Sequence, residues 1–237
     1  MNSWHDDLLN LVVTPTPSPE SLFFSIEQIA QKLGFKYVAY GYQAPYPVTQ
    51  PKITLLNNYP VSWRRHYKKA GYLNTDPIVM HAKRSQNPLL WGDEVFAKNP
   101  ELWKDAQEHG IRIGWAQSCL ESNGSGSLLT LCRCHEPLTL DELQIKEPHM
   151  RWLVQVAHVT LSRAILAKDT NIPKPLTSRE REVLQWTADG KSAQDIADIL
   201  SLSKSTVDFH LANSIKKLNS PNKTAAVASA VLSGWLR

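Results

Sequence analysis

The chain has 237 residues, 42% hydrophobic and 20% charged, with a net charge of +4 and a pI near 8.9. This composition excludes fibrous and disordered classes, and the length suits a core of about 150 residues plus a second, smaller one. No apolar run approaches the roughly 18 residues of a membrane span, and Asp6 and Asp7 stand where a secretory signal carries basic residues.

The expectation is a soluble, cytoplasmic protein with no membrane partner. Cys119, Cys132 and Cys134 are an odd number of cysteines with no companion cluster at metal spacing. They read as reduced thiols on strands, with no metal site.

In chain order, Leu8 to Val13 closes a short first helix, and the Pro-rich stretch from Thr14 to Pro19 interrupts it. Ser18 is placed to cap the next helix with Pro19 at its first position. Leu22, Phe23, Ile26, Ile29, Ala30 and Leu33 then recur at helical spacing until Gly34. Short segments rich in aromatic and β-branched residues follow at Phe35 to Tyr42, Ile53 to Asn57, Ile113 to Leu120 and Ser127 to Cys134. The last two are joined by the hairpin loop Glu121-Ser122-Asn123-Gly124-Ser125-Gly126.

Helices are expected near Pro60 to Ala70, Pro77 to Lys83 and Pro100 to Glu108, and a long one from about Asp141 to Leu166. Because the strands are not separated one by one by crossover helices, an antiparallel sheet within an α/β/α sandwich is predicted.

The middle of this region concentrates groups that are both aromatic and hydrogen-bonding. Tyr59, Trp63 and Tyr67 are spaced by four, so the last two share a helix face, and Asp76 and Trp91 follow. Ordinary core packing, with Asp76 as an N-cap ahead of Pro77, explains each alone. Against it, a buried indole N–H, two phenol hydroxyls and a carboxylate all need partners, which a small ligand carrying an amide and a carbonyl supplies together.

Lys168 to Pro175 is polar, bracketed by prolines and without apolar period, a domain boundary by composition. Beyond it, Thr177 and Glu180 form a capping box and Gly190 stops the helix. Ser192 with Asp195 opens a second helix, and the turn Ser201-Leu202-Ser203 leads into a third.

In that third helix Val207, Leu211, Ile215 and Leu218 make one apolar stripe. The other face carries Ser205, Asp208, Phe209, Ala212, Asn213 and Lys216, with Lys204, Thr206 and Lys217 at its edges. This is the layout of a recognition helix entering a major groove. An alanine-rich fourth helix spans about Lys223 to Trp235.

Residues 176–237 carry eight Lys or Arg against six Asp or Glu, so the surplus is only two. Clustering matters more: Lys191, Lys204, Lys216, Lys217 and Lys223 lie at helix starts or on the exposed side of the third helix, where phosphate contact is natural.

Leu176-Thr177-x-Arg179-Glu180-x-Glu182-x-Leu184-x-Trp186, Gly190-Lys191-Ser192, Thr206-Val207-x-Phe209-His210, Lys217-Leu218 and Asn222-Lys223 resemble the C-terminal helix-turn-helix of the LuxR family. Asn58-Tyr59-Pro60-x-x-Trp63, Tyr67, Asp76-Pro77, Trp91 and His109-Gly110-Ile111-Arg112-x-Gly114 resemble its acyl-homoserine lactone sensor.

The resemblance implies a ligand site in which Trp63 donates to the lactone carbonyl, Asp76 accepts from the amide N–H and Tyr59 donates to the amide carbonyl. Tyr67 and Trp91 wall it, and Thr130 joins the network. It also implies DNA contacts from Lys191, Lys204, Ser205, Thr206, Asp208, Phe209, Asn213, Lys216, Lys217 and Lys223. Glu180, Leu184 and Gly190 match scaffold positions.

Two departures stand out. Trp115-Ala116-Gln117 replaces a small polar residue and proline, implying a different pocket wall near the acyl chain. Asp208 occupies a place often neutral or basic, which repels phosphate but can accept from a cytosine amino group.

The whole reads as an α+β chain. Residues 1–167 form an autoinducer-binding and dimerisation sandwich, 168–175 a linker, and 176–237 a four-helix DNA-binding domain. It implies a transcriptional activator that, as a homodimer, reads an inverted repeat on double-stranded DNA, with no cofactor beyond the lactone ligand. A regulator of the same fold sensing foreign lactones or another small amide is the alternative. A response-regulator effector lacks its receiver pattern here. A thiol enzyme rests on Cys134-His135 alone, whose side chains on a strand point to opposite faces.

Overall fold

The computed structural model describes residues 4–13, 18–168 and 175–236; the linker residues 14–17 and 169–174 lie outside the described residues. The chain forms two compact units.

The first is built on a five-stranded antiparallel sheet in the order β2-β1-β5-β4-β3. Its strands are β1 (Tyr37–Gln43), β2 (Ile53–Asn57), β3 (Leu89–Leu90), β4 (Ile113–Leu120) and β5 (Gly126–Arg133). Four of these follow the predicted segments within two residues. The two-residue edge strand β3 does not, because Leu89–Leu90 has no alternation to detect. Cys134 falls one residue beyond β5 rather than on a strand, while all three cysteines are free thiols.

Alternation along the strands assigns the two faces of the sheet. On one face Tyr40, Trp115, Leu129 and Leu131 are fully buried, on the side of α1 (Trp4–Val13), α2 (Pro19–Lys32) and α7 (Leu140–Lys168). Ser18 accepts from Ser21 N–H with Pro19 in the first turn, and Gly34 adopts φ +91° after α2, so both ends of this helix follow the sequence reading.

The other face presents Tyr37, Ala116, Leu128 and Cys132 to a core made by four short helices. These are α3 (Val61–Ala70), α4 (Pro77–Ala82), α5 (Asp93–Phe96) and α6 (Pro100–Glu108), with a single 3-10 turn at Tyr72–Asn74. Helices on both faces of an antiparallel sheet are the predicted sandwich.

The second unit contains α8 (Ser178–Ala188), α9 (Ala193–Leu200), α10 (Lys204–Lys217) and α11 (Lys223–Leu232). Thr177/Glu180 and Ser192/Asp195 both close as capping boxes. Val183, Ile196, Ala197 and Val207 form one apolar cluster and Leu176, Leu184, Leu218, Ala226 and Ala230 another. Leu211 packs against both. No helix among the described residues is long and apolar enough to cross a membrane, and no group of three metal-ligating side chains occurs among them.

Candidate functional site

Four of the six residues expected to bind ligand, Tyr59, Trp63, Tyr67 and Trp91, belong to the core on the α3–α6 side of the sheet; Asp76 is bonded to Tyr67 there, and Thr130 projects from β5 onto the same face. Trp63 and Tyr67 come from α3, whose first turn follows Pro60 and whose end is set by Gly71 in a left-handed conformation. Asp76 caps α4 ahead of Pro77, accepting from Ile78 N–H at 2.8 Å through Oδ1. Its Oδ2 accepts from the Tyr67 hydroxyl at 2.8 Å. A carboxylate has about four lone-pair sites, so capacity remains for a further donor. Burial raises the Asp76 pKa, opposed by the hydrogen bonds from Tyr67, Ile78 and Val79.

Tyr59 and Thr130 share a hydrogen bond of 3.1 Å, and Thr130 also lies 3.5 Å from the Ala39 carbonyl. Burial pushes the Tyr59 and Tyr67 hydroxyls well above the usual phenol range, so both remain protonated donors. Trp91 covers Gly114 so closely that an added Cβ would meet its ring at 2.2 Å, and its buried indole N–H finds no partner among the described residues. Donors (Tyr59, Trp63, Trp91) and an acceptor (Asp76) thus belong to one apolar-walled region, the chemistry that holds an amide with a neighbouring carbonyl.

Trp115 does not line this region. It pairs with Leu131 in the β4–β5 register, on the opposite face from Gly114 and Ala116, and is 1% exposed. The substitution pattern after Gly114 therefore places Ala116, not the indole, on the ligand side.

A second polar row, Ser127 Oγ to His158 Nδ1 at 2.9 Å and His158 Nε2 to Glu121 at 3.0 Å, lies on the α7 face. Ser127 and His158 are both buried there. They tie α7 to the sheet.

Sequence reasoning missed a cluster beside Trp63. Asp105 Oδ2 lies 2.6 Å from His66 Nε2 and accepts from the Tyr72 hydroxyl at 2.6 Å, and its backbone carbonyl is 2.7 Å from His109 Nδ1. These partners are 33 and 39 positions from Asp105 for the side-chain contacts, so no local spacing announces them.

In the helical unit, α9, the turn at Ser201–Ser203 and α10 form the helix-turn-helix. Ser203 caps α10 by accepting from Thr206 N–H, and its hydroxyl also bonds those of Ser205 and Thr206 at 2.8 and 2.7 Å. Lys204, Ser205, Asp208, Phe209 and Lys216 are exposed along one face, Thr206 and Asn213 are half-buried beside it, and Lys191 and Lys223 are exposed at the starts of α9 and α11. Phe209 is 62% exposed, an apolar group on the outer face.

Two lysines are internally engaged. Lys204 donates to Asp208 at 3.0 Å, and Lys217 donates at 2.6 Å to Glu180, which is 4% exposed. Burial pushes the Glu180 carboxyl up, but the hydrogen bonds from Lys217 and Thr177 outweigh it and hold its pKa below the usual range. Lys217 therefore ties α10 to the first turn of α8, with its charge directed into the domain.

A small-molecule-sensing sandwich joined to a helix-turn-helix defines a ligand-responsive transcription regulator, and comparison with known proteins agrees. Residues 18–161 match the autoinducer binding domain and residues 174–230 the luxR family of bacterial regulatory proteins. The chain is 37% identical to the transcriptional activator protein AnoR of Acinetobacter nosocomialis over the full length of both. It is 34% identical to the quorum-sensing regulator RhlR of Pseudomonas aeruginosa, covering 98% of this chain and 96% of that one.

Among solved structures, Escherichia coli SdiA superposes with a TM-score of 0.85 at 34% identity, covering 99% of this chain and 98% of SdiA. SdiA in complex with octanoyl-rac-glycerol gives 0.84 at 33% identity, covering 100% and 99%. The chain belongs to the LuxR family of autoinducer-binding transcription regulators.

Proposed function

We propose that this regulator binds an acyl-homoserine lactone through Asp76, Tyr59 and Trp63 and, as a homodimer, an inverted-repeat promoter site. The observation that carries the ligand assignment is one buried acceptor, Asp76, bonded by Tyr67, in the same region as a second protonated phenol, Tyr59, bonded to Thr130. The amide N–H of the ligand donates to Asp76 beside Tyr67. The amide carbonyl accepts from Tyr59, whose oxygen then accepts from Thr130. The ring carbonyl accepts from the Trp63 indole, and Trp91 closes the wall.

Dimerisation is supported by α7. Ile145, Trp152 and Val159 recur every seven residues along it and are 69%, 57% and 44% exposed, an apolar stripe of the kind that a twofold partner covers. Paired α10 helices then read two half-sites about one helical turn apart.

The modest charge of the helical domain suits such control. With Lys217 drawn to buried Glu180 and a charge surplus of only two over residues 176–237, a single domain holds phosphate weakly and a pair of domains holds it better. The test is binding of the full chain to an inverted-repeat operator and to its isolated half-site, with and without lactone. Lactone-dependent preference for the repeat is expected; tight monomeric binding to a half-site contradicts the model.

A second reading, a regulator answering a different acyl ligand, is favoured by the octanoyl-glycerol bound to the SdiA relative. It predicts a response to monoacylglycerols at least equal to that for lactones.

A further inference from the structure

Trp63 is enclosed by four rings: His109 at 5.4 Å, Tyr67 at 5.5 Å, His66 at 6.2 Å and Tyr72 at 6.3 Å between centroids. Tyr67 is fixed by Asp76. The other three are fixed by a single residue of α6. The Asp105 carboxylate takes Tyr72 and His66 on the same oxygen, and the Asp105 carbonyl takes His109.

Chemistry sets the tautomers. A carbonyl only accepts, so His109 carries its proton on Nδ1; the carboxylate likewise draws the His66 proton to Nε2. The two imidazoles lie 5.9 Å apart and 19° from parallel, so each limits the tilt of the other. Hydrogen bonds from Tyr72 and His66 hold the Asp105 carboxyl below its usual range, and the bond to Asp105 raises the Tyr72 hydroxyl to about 12.

Trp63 itself is 4% exposed, with an indole whose one polar atom can only donate. Its aim therefore depends on the cage around it, because an indole held by packing alone has no hydrogen bond fixing its tilt.

We infer that Asp105 is a positioning residue for ligand recognition: through His66, Tyr72 and His109 it holds the Trp63 indole in line with the ring carbonyl of the bound lactone. This inference rests on the assignment of Trp63 to that carbonyl. It separates two parts of recognition, since the amide is read by Asp76 and Tyr59 on a different set of supports.

Two probes divide these parts. N-octanoyl-homoserine lactone presents amide and ring carbonyl. N-octanoyl cyclopentylamide keeps the amide and a five-membered ring and lacks the ring carbonyl. The full chain is titrated with both, for the wild type, Asp105→Ala and Tyr72→Phe.

The wild type is expected to prefer the lactone by about tenfold, the size of one well-aimed hydrogen bond. Asp105→Ala is expected to bring that ratio close to one while leaving cyclopentylamide affinity within about twofold of wild type. Tyr72→Phe, which keeps the ring and loses only the hydroxyl, is expected to lower the ratio by a smaller factor.

Equal weakening of both ligands, the outcome of a merely structural role, overturns the inference. So does an unchanged ratio in both variants. A wild type that binds both probes equally removes the Trp63 assignment itself, a failure visible before any variant is compared.

Discussion

Replacing Gly114 by alanine tests the wall of the ligand site by a single methyl group. Gly114 does not require a left-handed backbone, so alanine adds no conformational strain and the effect is steric. The new Cβ falls 2.2, 2.3 and 2.6 Å from three atoms of the Trp91 ring, about 1 Å inside van der Waals contact. The ring has little freedom to retreat. Its backbone N–H is bonded to the Gly114 carbonyl at 2.9 Å, and its edge meets Phe96 at 85°. Phe96 in turn stacks on Trp103 at 4.4 Å, whose indole donates to Asp93 at 2.7 Å.

Overpacking a site so constrained costs about 1 to 3 kcal/mol. For a unit of this size that lowers the thermal midpoint by about 2 to 4 °C per kcal/mol, hence about 2 to 12 °C for the transition of the ligand-binding unit. Calorimetry of the wild type, Gly114→Ala, Trp91→Phe and the double variant closes a cycle in which the alanine penalty shrinks once the indole is gone. A midpoint within about 1 °C of wild type, or a penalty equal in both backgrounds, refutes the steric argument.

Lys217 and Lys216, adjacent in sequence, are expected to part company. Lys217→Ala strands the buried Glu180 carboxylate and is expected to cost the helical unit about 3 kcal/mol, read as a lower midpoint for its transition. Lys216→Ala is expected to leave that midpoint unchanged and to flatten the logarithmic salt dependence of DNA binding by about one unit; a sequence-selective loss would make Lys216 a base reader instead.

Glu142, bonded to Arg133 and Lys146 at 2.7 Å each, has its carboxyl lowered from 4.5 to about 2. A depressed acid stabilises the fold fully above its unfolded pKa and progressively less as protons return. The stability it contributes is therefore present above about pH 4.5 and lost toward pH 2, and acid titration of Glu142→Gln should show a shallower decline over that window than wild type.

The helices and long strands were legible because their signals are local. Ser18-Pro19, Asp76-Pro77, Thr177 with Glu180 and Ser192 with Asp195 mark starts by side chains that satisfy backbone N–H groups a few residues on, and each does so in the folded chain. The two-residue strand β3 and the four-residue helix α5 are too short to carry a period.

At the site, the aromatic and hydrogen-bonding residue types marked Tyr59, Trp63, Tyr67 and Asp76 as a group, but the bond from Tyr67 to Asp76, nine positions away, was not predicted. The Asp105 hub was silent, since a solitary aspartate on an amphipathic helix looks like any solvated charge until the fold delivers His66 and Tyr72 to it. The partner of Lys217 was equally hidden. The lysine's position in the last turn suits a phosphate contact, and only the three-dimensional path of α8 brings Glu180 beneath it.

The most direct test of the receptor assignment is the thermal midpoint of the full chain across a panel of acyl-homoserine lactones, with Asp76→Ala beside the wild type. A ligand that binds only the folded state raises the midpoint in proportion to the logarithm of its concentration over its Kd. The wild type is expected to show that rise for at least one chain length. Asp76→Ala is expected to need at least about tenfold more ligand for the same rise, having lost a charge-assisted hydrogen bond of roughly 1.5 to 3 kcal/mol. A wild-type midpoint flat across the whole panel, or an Asp76→Ala response identical to it, would contradict the account.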